Sequence, residues 1–568
     1  MPEQRNLMIA MVLMIAILFG YYLLVPQPKP QQPAEAVSTE APATAGGSAP
    51  SAPGATPAAP APLDREAALA RDPRVKIDAP RVSGSISLEG GRIDDVALVD
   101  YHETVDQTSP RIELLSPLGT KAAYYTQTGW VASSNDVKLP GAETVWTPAD
   151  DKPLTPEHPV TLTWDNGQGL VFERQIAIDA NYMFTVTDKV TNTGDAAVTL
   201  YPYSLVSRSG TPQTLGYYIL HEGPLGVVDG TLKEYKYKDL AEQQQPVSAS
   251  STGGWFGITD KYWLAAVIPD QSEAVTARFG HSVVGTTPKY QVDYLGSARE
   301  VAPGATASTV SRVFAGAKEL DVLDGYSDAL GIKNFDLAID FGWFYFLTKP
   351  IFLVLLWIES IVGNLGISIL ILTLCTKALF FPLANKSYVA MSKMKKLQPE
   401  LVKLRERYKD DKVRLNQEMM GLYKKEKVNP AAGCLPILVQ IPVFFALYKV
   451  LFVTIEMRHK PFFGWIHDLS APDPLYITNL FGLLPYTPPH FLAIGIWPVL
   501  MAFTMFLQQK LNPAPADPTQ AKIMMFLPVM FLFLFAGFPA GLVIYWTWNN
   551  LLSIGQQWLI MRRMGVKV

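Results

Sequence analysis

Beyond residue 350 the chain alternates long apolar runs with one strongly basic segment, and that alternation narrows its folding options more than any other feature. The runs cover about 351–383, 433–454, 491–508, 523–538 and 541–561, near the ~20 residues a helix needs to cross hydrocarbon. With a further run at 7–25 they make six candidate spans. Composition agrees: 49% of the 568 residues are hydrophobic and 17% charged, against about 25% charge in an ordinary soluble chain. A net charge of −3 excludes a broadly cationic nucleic-acid binder, so no specific nucleic-acid recognition is expected. Cys375 and Cys434 are the only cysteines, which excludes a disulfide scaffold or a multi-cysteine metal centre.

The run at 7–25 follows Arg5 and offers no small-x-small cleavage site, so residues 1–25 read as an uncleaved signal anchor. Residues 26–62 hold ten prolines among Ala, Ser, Thr and Gln and read as a disordered tether. From 63 to 330 the period is two. Val82, Gly84, Ile86 and Leu88 alternate with small or charged residues, and the pattern returns around Ile176, Phe184 and Val198. Glu89-Gly90-Gly91, Asn166-Gly167 and Thr193-Gly194-Asp195 punctuate it. This predicts one large β-sandwich, closed by a helix near 317–330. Residues 331–348 form an aromatic stretch suited to a membrane interface. The second span occupies 349–383, where Glu359 and Asn364 place its first turns at or above the outer interface. Spans three to six fall in 431–561, and 562–568 is a basic tail.

Orientation follows from basic residues in short loops. Segment 384–430 has thirteen Lys and Arg against six acidic residues, a net +7, whereas 455–490 has only Arg458 and Lys460. The basic segment belongs in the cytoplasm. With six spans both termini join it there, and the β-domain lies in a periplasmic space outside an inner membrane. The expected fold is therefore a six-helix membrane bundle carrying a large periplasmic β-sandwich.

Three constellations could carry function. In 384–430, Tyr388, Met391, Met394, Leu397, Leu401, Leu404 and Tyr408, then Val413, Met419, Met420 and Tyr423, follow helical spacing. They predict an antiparallel helical hairpin, with Pro399 kinking or restarting the first helix. Lys393, Lys395, Lys396, Lys403, Arg405, Arg407, Lys412 and Arg414 would make it a docking platform, or merely a topological anchor. Second, Lys377 lies inside an apolar run with Thr373 one turn away, and either lines a hydrated cavity or snorkels to the surface. Third, Pro430, Pro436, Gln440 and Pro442 weaken the backbone ladder of an entering span. The β-domain's dispersed histidines and carboxylates cannot be paired in space from one sequence and make only a weak case for catalysis.

Gln417-Glu-Met-Met420, Tyr423-Lys, Glu426-Lys-Val-Asn-Pro430, Gly433-Cys434, Gln440, Pro442 and Ala446-Leu-Tyr448 resemble the YidC/Oxa/Alb family of membrane protein insertases, in its Gram-negative form. So do Trp465-Ile-His-Asp-Leu-Ser470 with Asp473-Pro474, and Phe538-Pro539 with Gly541-Leu542. The resemblance implies a five-span core whose hydrophilic groove opens to cytoplasm and lipid. Such a protein inserts and helps fold inner-membrane proteins without ATP, metal or other cofactor. Its implied partners are nascent membrane proteins, the Sec translocon, a ribosome or signal-recognition targeting factor, and membrane lipids. The family's groove arginine falls at Lys377, its groove threonine at Thr373, and its tyrosine pair at Tyr545-Trp546. Lys377, Thr373, Gln440, Tyr545 and Trp546 are thus the expected substrate-contacting residues. Lysine keeps the charge but loses arginine's forked donor. The competing readings are a secondary transporter, which should show intramembrane carboxylates, and a membrane-anchored periplasmic carbohydrate-binding protein, which would not need six spans.

Overall fold

Two successive glycines, Gly90 and Gly91 at φ +76° and +60°, turn the chain between the antiparallel strands Val82–Ser87 and Arg92–His102. That left-handed region admits glycine without strain. Similar turns fold the predicted alternation into two large antiparallel sheets. The computed structural model describes residues 63–215, 220–243, 245–408, 411–426, 435–486, 488–489, 492–512 and 518–565, without the side chains of 412, 435–440 and 518–520. The expected anchor (1–25) and tether (26–62) lie outside these residues.

One sheet has ten strands. Its main path runs through Arg74–Asp78, Val82–Ser87, Arg92–His102, Tyr124–Ala132, Val198–Ser209, Thr287–Leu295, Ala274–Val284 and Val247–Thr252. The other has nine, ordered Thr231–Glu234, Gly223–Val228, Trp255–Thr259, Trp263–Ile268, Thr306–Ala317, Met183–Asn192, Leu170–Ile178, Val160–Asp165 and Thr147–Pro148. Phe172, Phe184, Phe256, Phe279 and Phe314 are fully buried in the core they share. A buried charge costs several kcal/mol unless it is satisfied. Arg174 meets that need by pairing with Asp188 (2.6 Å) and donating to the carbonyls of Gly91 (3.0 Å) and Thr128 (2.7 Å), which ties the two sheets together.

The described residues contain eleven α-helices. Three belong to the β-region: α1 (Arg65–Arg71), α2 (Tyr237–Ala241) and α3 (Leu320–Leu330), the last being the expected closing helix. Then come α4 (Tyr345–Val362), α5 (Leu365–Leu379), α6 (Phe381–Arg407), α7 (Lys412–Lys425), α8 (Leu435–Val453), α9 (Ile496–Leu511), α10 (Pro518–Phe535) and α11 (Ala540–Arg563).

Three expectations need correction. The run read as one span over 349–383 is broken: Gly363 ends α4 at φ +71°, and Asn364 caps α5 by accepting the Ile367 N–H. The helices also do not show six long apolar spans. Among the described residues only α4 is by itself long and apolar enough to cross a membrane, and α5 with α6, bent by 69°, makes one more as a broken span. Helix α9 has only sixteen residues, α11 interleaves amides with its apolar residues, and α8 and α10 are described with side chains only over 441–453 and 521–535. Pro399 does not restart a helix, because α6 runs through it. The residue is exposed, so solvent can take the carbonyl that its missing N–H leaves free.

Candidate functional site

Asn364 fixes where α5 starts, and fifteen residues of unbroken helix then set which way Lys377 points. The ammonium turns into the bundle and donates to Ser553 Oγ of α11 at 2.8 Å. Ser553, 2% exposed, donates in turn to the Asn549 carbonyl at 2.8 Å. Among the described residues no carboxylate pairs with Lys377. Trp548 Nε1 donates to the Leu370 carbonyl (3.2 Å) and holds α5 against α11. Thr373 is buried, its hydroxyl satisfied within its own helix by Ile369 O at 2.6 Å.

Beside this pair α8, α9 and α11 enclose a cavity of about 280 Å³. Five amides line it, Gln508, Gln509, Asn512, Asn549 and Asn550, together with Ile441, Phe444, Met505, Tyr545 and Trp546. Trp546 packs on Phe444 (4.6 Å between ring centres), Phe535 (5.0 Å) and Phe531 (6.0 Å), while Tyr545 stacks on Phe444 at 6.4 Å. The amides hold one another and the backbone: Asn550 donates to Thr504 Oγ1 (3.2 Å), Gln509 to Met524 O (2.6 Å), and Gln557 to Asn512 Oδ1 (3.1 Å). The polar face of α11 continues past Ser553 to Gln556 and Gln557. There Gln556 Nε2 and Gln557 Oε1, with the hydroxyls of Ser387 and Ser392 on α6, are buried without a partner among the described residues. Such groups in an apolar bundle call for water or a polar ligand.

Tyr545 and Trp546 thus share one cavity, and Lys377 joins it through Ser553 and Asn549. Thr373 is not among the residues that line the cavity. Gln440 falls among the side chains outside the description, one residue before the cavity's Ile441. The five amides went unpredicted because they carry no charge. Their signal was present in the spacing, Asn549–Ser553–Gln556 on α11 and Gln508–Asn512 on α9, where successive polar residues fall on one helix face.

The bundle's far end carries the basic hairpin. Leu397 and Leu401 of α6 pack on Tyr423 of α7, helped by Met394, Met419 and Leu422. Asp411 caps α7 by accepting the Arg414 N–H at 3.0 Å. Lys393, Lys396, Lys403, Arg407 and Arg414 are exposed and Arg405 is half-buried. Lys395 reaches the Lys510 carbonyl at 3.3 Å, tying the hairpin to α9. None of these seven forms an ion pair among the described residues, and the Lys412 side chain lies outside them.

At the opposite end the β-domain docks directly on the bundle. Arg458, just past α8, donates to the His102 carbonyl (2.6 Å), and the Lys261 ammonium lies 4.2 Å from the centre of the Phe452 ring. The Leu320 N–H at the start of α3 donates to Glu456 Oε1 (3.2 Å), and Lys449 of α8 pairs with Asp340 (2.8 Å). Burial, with Glu319 and Asp321 nearby, pushes the Glu456 carboxyl up to about 7.

Comparison with known proteins covers nearly the whole chain. Residues 74–354 match the family model described as the YidC periplasmic domain, and 357–567 match that of the 60Kd inner membrane protein. A membrane protein insertase YidC of Methylobacterium radiotolerans is 53% identical, over 100% of this chain and 96% of the relative. One from Bradyrhizobium diazoefficiens is 52% identical over 100% and 97%. Among solved structures, an active YidC insertase with its first transmembrane domain resolved aligns over 85% of this chain and 94% of that one, with 16% identity and a TM-score of 0.36.

Proposed function

The chain belongs to the YidC family of membrane protein insertases, inner-membrane proteins with a periplasmic domain, and from that premise we propose how this molecule places a nascent chain in the bilayer. The amide-lined cavity, joined through Ser553 to Lys377 and lined also by Tyr545 and Trp546, carries the reading. Each unsatisfied polar group of a translocating tail costs several kcal/mol in hydrocarbon. Neutral amides and the water they hold offer exchangeable partners partway across and shorten the apolar path. Lys377 attracts acidic residues of the tail. The apolar span then leaves along Phe444, Tyr545 and Trp546 into lipid, driven by hydrophobic transfer. No bond is made or broken, as befits an insertase.

In this reading the chain crosses six times: the run at 7–25, the bent α5–α6 pair, then α8, α9, α10 and α11. Helix α4 lies along the outer interface, its Phe346, Leu353, Val354, Trp357 and Ile361 exposed on one side while Lys349 and Glu359 pair with Asp324 and Lys460 on the other. Both termini and the hairpin are cytoplasmic. The hairpin receives a ribosome or targeting factor through its exposed cations, and the Sec translocon works beside the bundle on larger substrates. A proton-coupled transporter is disfavoured, because α5, α8, α9, α10 and α11 contain no Asp or Glu at all.

The test is photo-crosslinking from positions 377, 508, 512 and 545 to a stalled single-span nascent chain. Adducts at these four, with few from the lipid-facing Phe526 and Phe533, are expected. Equal adducts at all six positions would remove the groove from the mechanism.

A further inference from the structure

From 474 to 509 the chain runs thirty-six residues without one Asp, Glu, Lys or Arg. Its second part is helix α9, but the described residues among 474–495 belong to the loop that leads into α9 at the end where the β-domain docks. At that end the Ala540 N–H donates to Ala471 O (2.7 Å), the Gly541 N–H donates to Leu469 O (2.9 Å), and Arg458 meets the β-domain. A connection bathed by water would normally carry charge. This one instead exposes Leu480, Phe481, Leu483, Leu484 and Tyr486, with Leu483 81% exposed. A contiguous exposed apolar tip of this kind marks an interaction site.

The loop is built rather than slack. Buried Asp473 closes its base, its carboxylate accepting from the Leu475 N–H (3.0 Å), the Trp497 N–H (2.8 Å) and Trp465 Nε1 (3.0 Å). At the tip Leu480, Phe481 and Gly482 all adopt positive φ, 51°, 62° and 89°, a conformation bulky residues rarely enter. Every backbone N–H from Leu480 to Leu484 nevertheless has a partner inside the loop. Those of Leu480, Phe481, Leu483 and Leu484 bond to the carbonyls of Ile477, Tyr476, Leu480 and Asn479, and that of Gly482 to Asn479 Oδ1. The Tyr486 hydroxyl donates to Thr478 O at 2.6 Å. Apolar side chains therefore point outward while the backbone donors are consumed internally, which is what lipid demands of any segment that enters it. Tyr476, Tyr486 and Trp497 flank the tip, residue types that favour the headgroup boundary. The same apolar surface continues down α9 through the exposed Leu500, Phe503 and Phe506.

We propose that the 476–486 tip is immersed in the outer leaflet of the bilayer, with phospholipid as its occupant, and pins the start of α9 at the interface. The inference rests on the orientation proposed above, which puts the β-domain end in the periplasm. It is tested on the full-length protein with Cys375 and Cys434 replaced by Ser, purified into vesicles of phosphatidylethanolamine and phosphatidylglycerol. A single environment-sensitive fluorophore is attached at Leu483→Cys, where exposure means the substitution disturbs no packing. The lipid reference is Phe526→Cys on α10, and the water reference is Ser272→Cys, exposed in a β-domain turn. Expected at 483 are iodide quenching at least fivefold weaker than at 272, and quenching by shallow doxyl-labelled lipid within twofold of that at 526. Iodide quenching equal to that at 272, with no lipid quenching, would overturn the proposal. So would protection at 483 in native membranes that is lost in the purified vesicles, since that outcome points to a protein partner. Labelling of Ser272→Cys by an impermeant maleimide in intact spheroplasts checks the orientation separately; its absence would overturn the leaflet assigned here, while the quenching still reports whether the tip is in lipid.

Discussion

A single hydrogen bond orients Lys377: held by Ser553, its ammonium turns into the bundle, as the proposed groove requires. At about 10 Å and an effective dielectric near 20, one unit charge attracts another by ~1.7 kcal/mol, roughly tenfold in a rate or equilibrium. We therefore expect Lys377→Ala to slow insertion of acidic-tailed substrates by about tenfold and Lys377→Glu by more, with Lys377→Arg close to wild type. Protease protection of such a substrate, in cells whose only copy is the variant, measures this; equal protection in all four would remove the charge from the mechanism. Glu456 makes a second residue-scale prediction. Its carboxyl is raised from 4.5 to about 7 where the β-domain docks, and Oε2 has no partner there. The docked form therefore holds a proton that the undocked form releases between pH 4.5 and 7. Docking is strongest below pH 4.5, weakens as pH rises through 7, and then levels off. With the carboxyl buried, the loss is on the order of 3 kcal/mol. Glu456→Gln should flatten this dependence and protect the junction from proteolysis at pH 8 while matching wild type at pH 4.5. A wild-type junction equally resistant at both pH values would contradict the assignment.

Elements were legible where side-chain pattern and backbone signal agreed. The period of two gave the strands, and the Met- and Leu-rich stripe gave the hairpin, because both record one buried face. The 349–383 run was misread because mean hydropathy does not see a backbone break. Gly363-Asn364 is a left-handed helix stop followed directly by a capping residue, and that dipeptide was the better signal. The amide face of α11 was missed for a related reason: a search for ionisable groups passes over residues whose hydrogen bonding is their whole contribution. In the hairpin, packing and charge are separable, since Leu397, Leu401 and Tyr423 hold the helices together while the exposed cations form no ion pairs among the described residues. Replacing Lys393, Lys396, Lys403 and Arg407 with Gln should therefore change stability by less than about 0.5 kcal/mol each. Binding to ribosomes or a targeting factor should nonetheless weaken, and its dependence on salt should flatten. A sedimentation assay across ionic strength reads this out, and unchanged binding would leave the hairpin as a topological anchor only.

At the scale of the molecule, the sequence separates the β-domain from the bundle by an aromatic connector, and the structure joins them through contacts no periodicity could announce. Those contacts come from two different parts of the chain. His102 and Lys261, which meet Arg458 and Phe452, lie in the sandwich. Leu320, Asp324, Asp336 and Asp340, which meet Glu456, Lys349 and Lys449, lie in the connector from α3 onward. No sandwich residue lines the cavity beside Trp546. Excising 63–317 therefore removes the sandwich but leaves the three connector attachments in place, and insertion of small single-span substrates should remain largely intact. Extending the deletion to 342 takes Asp340 from Lys449 and both carboxylates from Lys349. Losing these ion pairs together with the Leu320–Glu456 hydrogen bond frees α4 and the outer end of α8 from the connector. The longer deletion should lose most insertion activity even where it accumulates to the level of the shorter one. Protease protection of the same substrate, normalised to the amount of each variant in the membrane, separates the two. Loss of insertion in the shorter deletion would place part of the mechanism in the sandwich, and full activity in the longer one would show that the connector attachments do not hold the bundle.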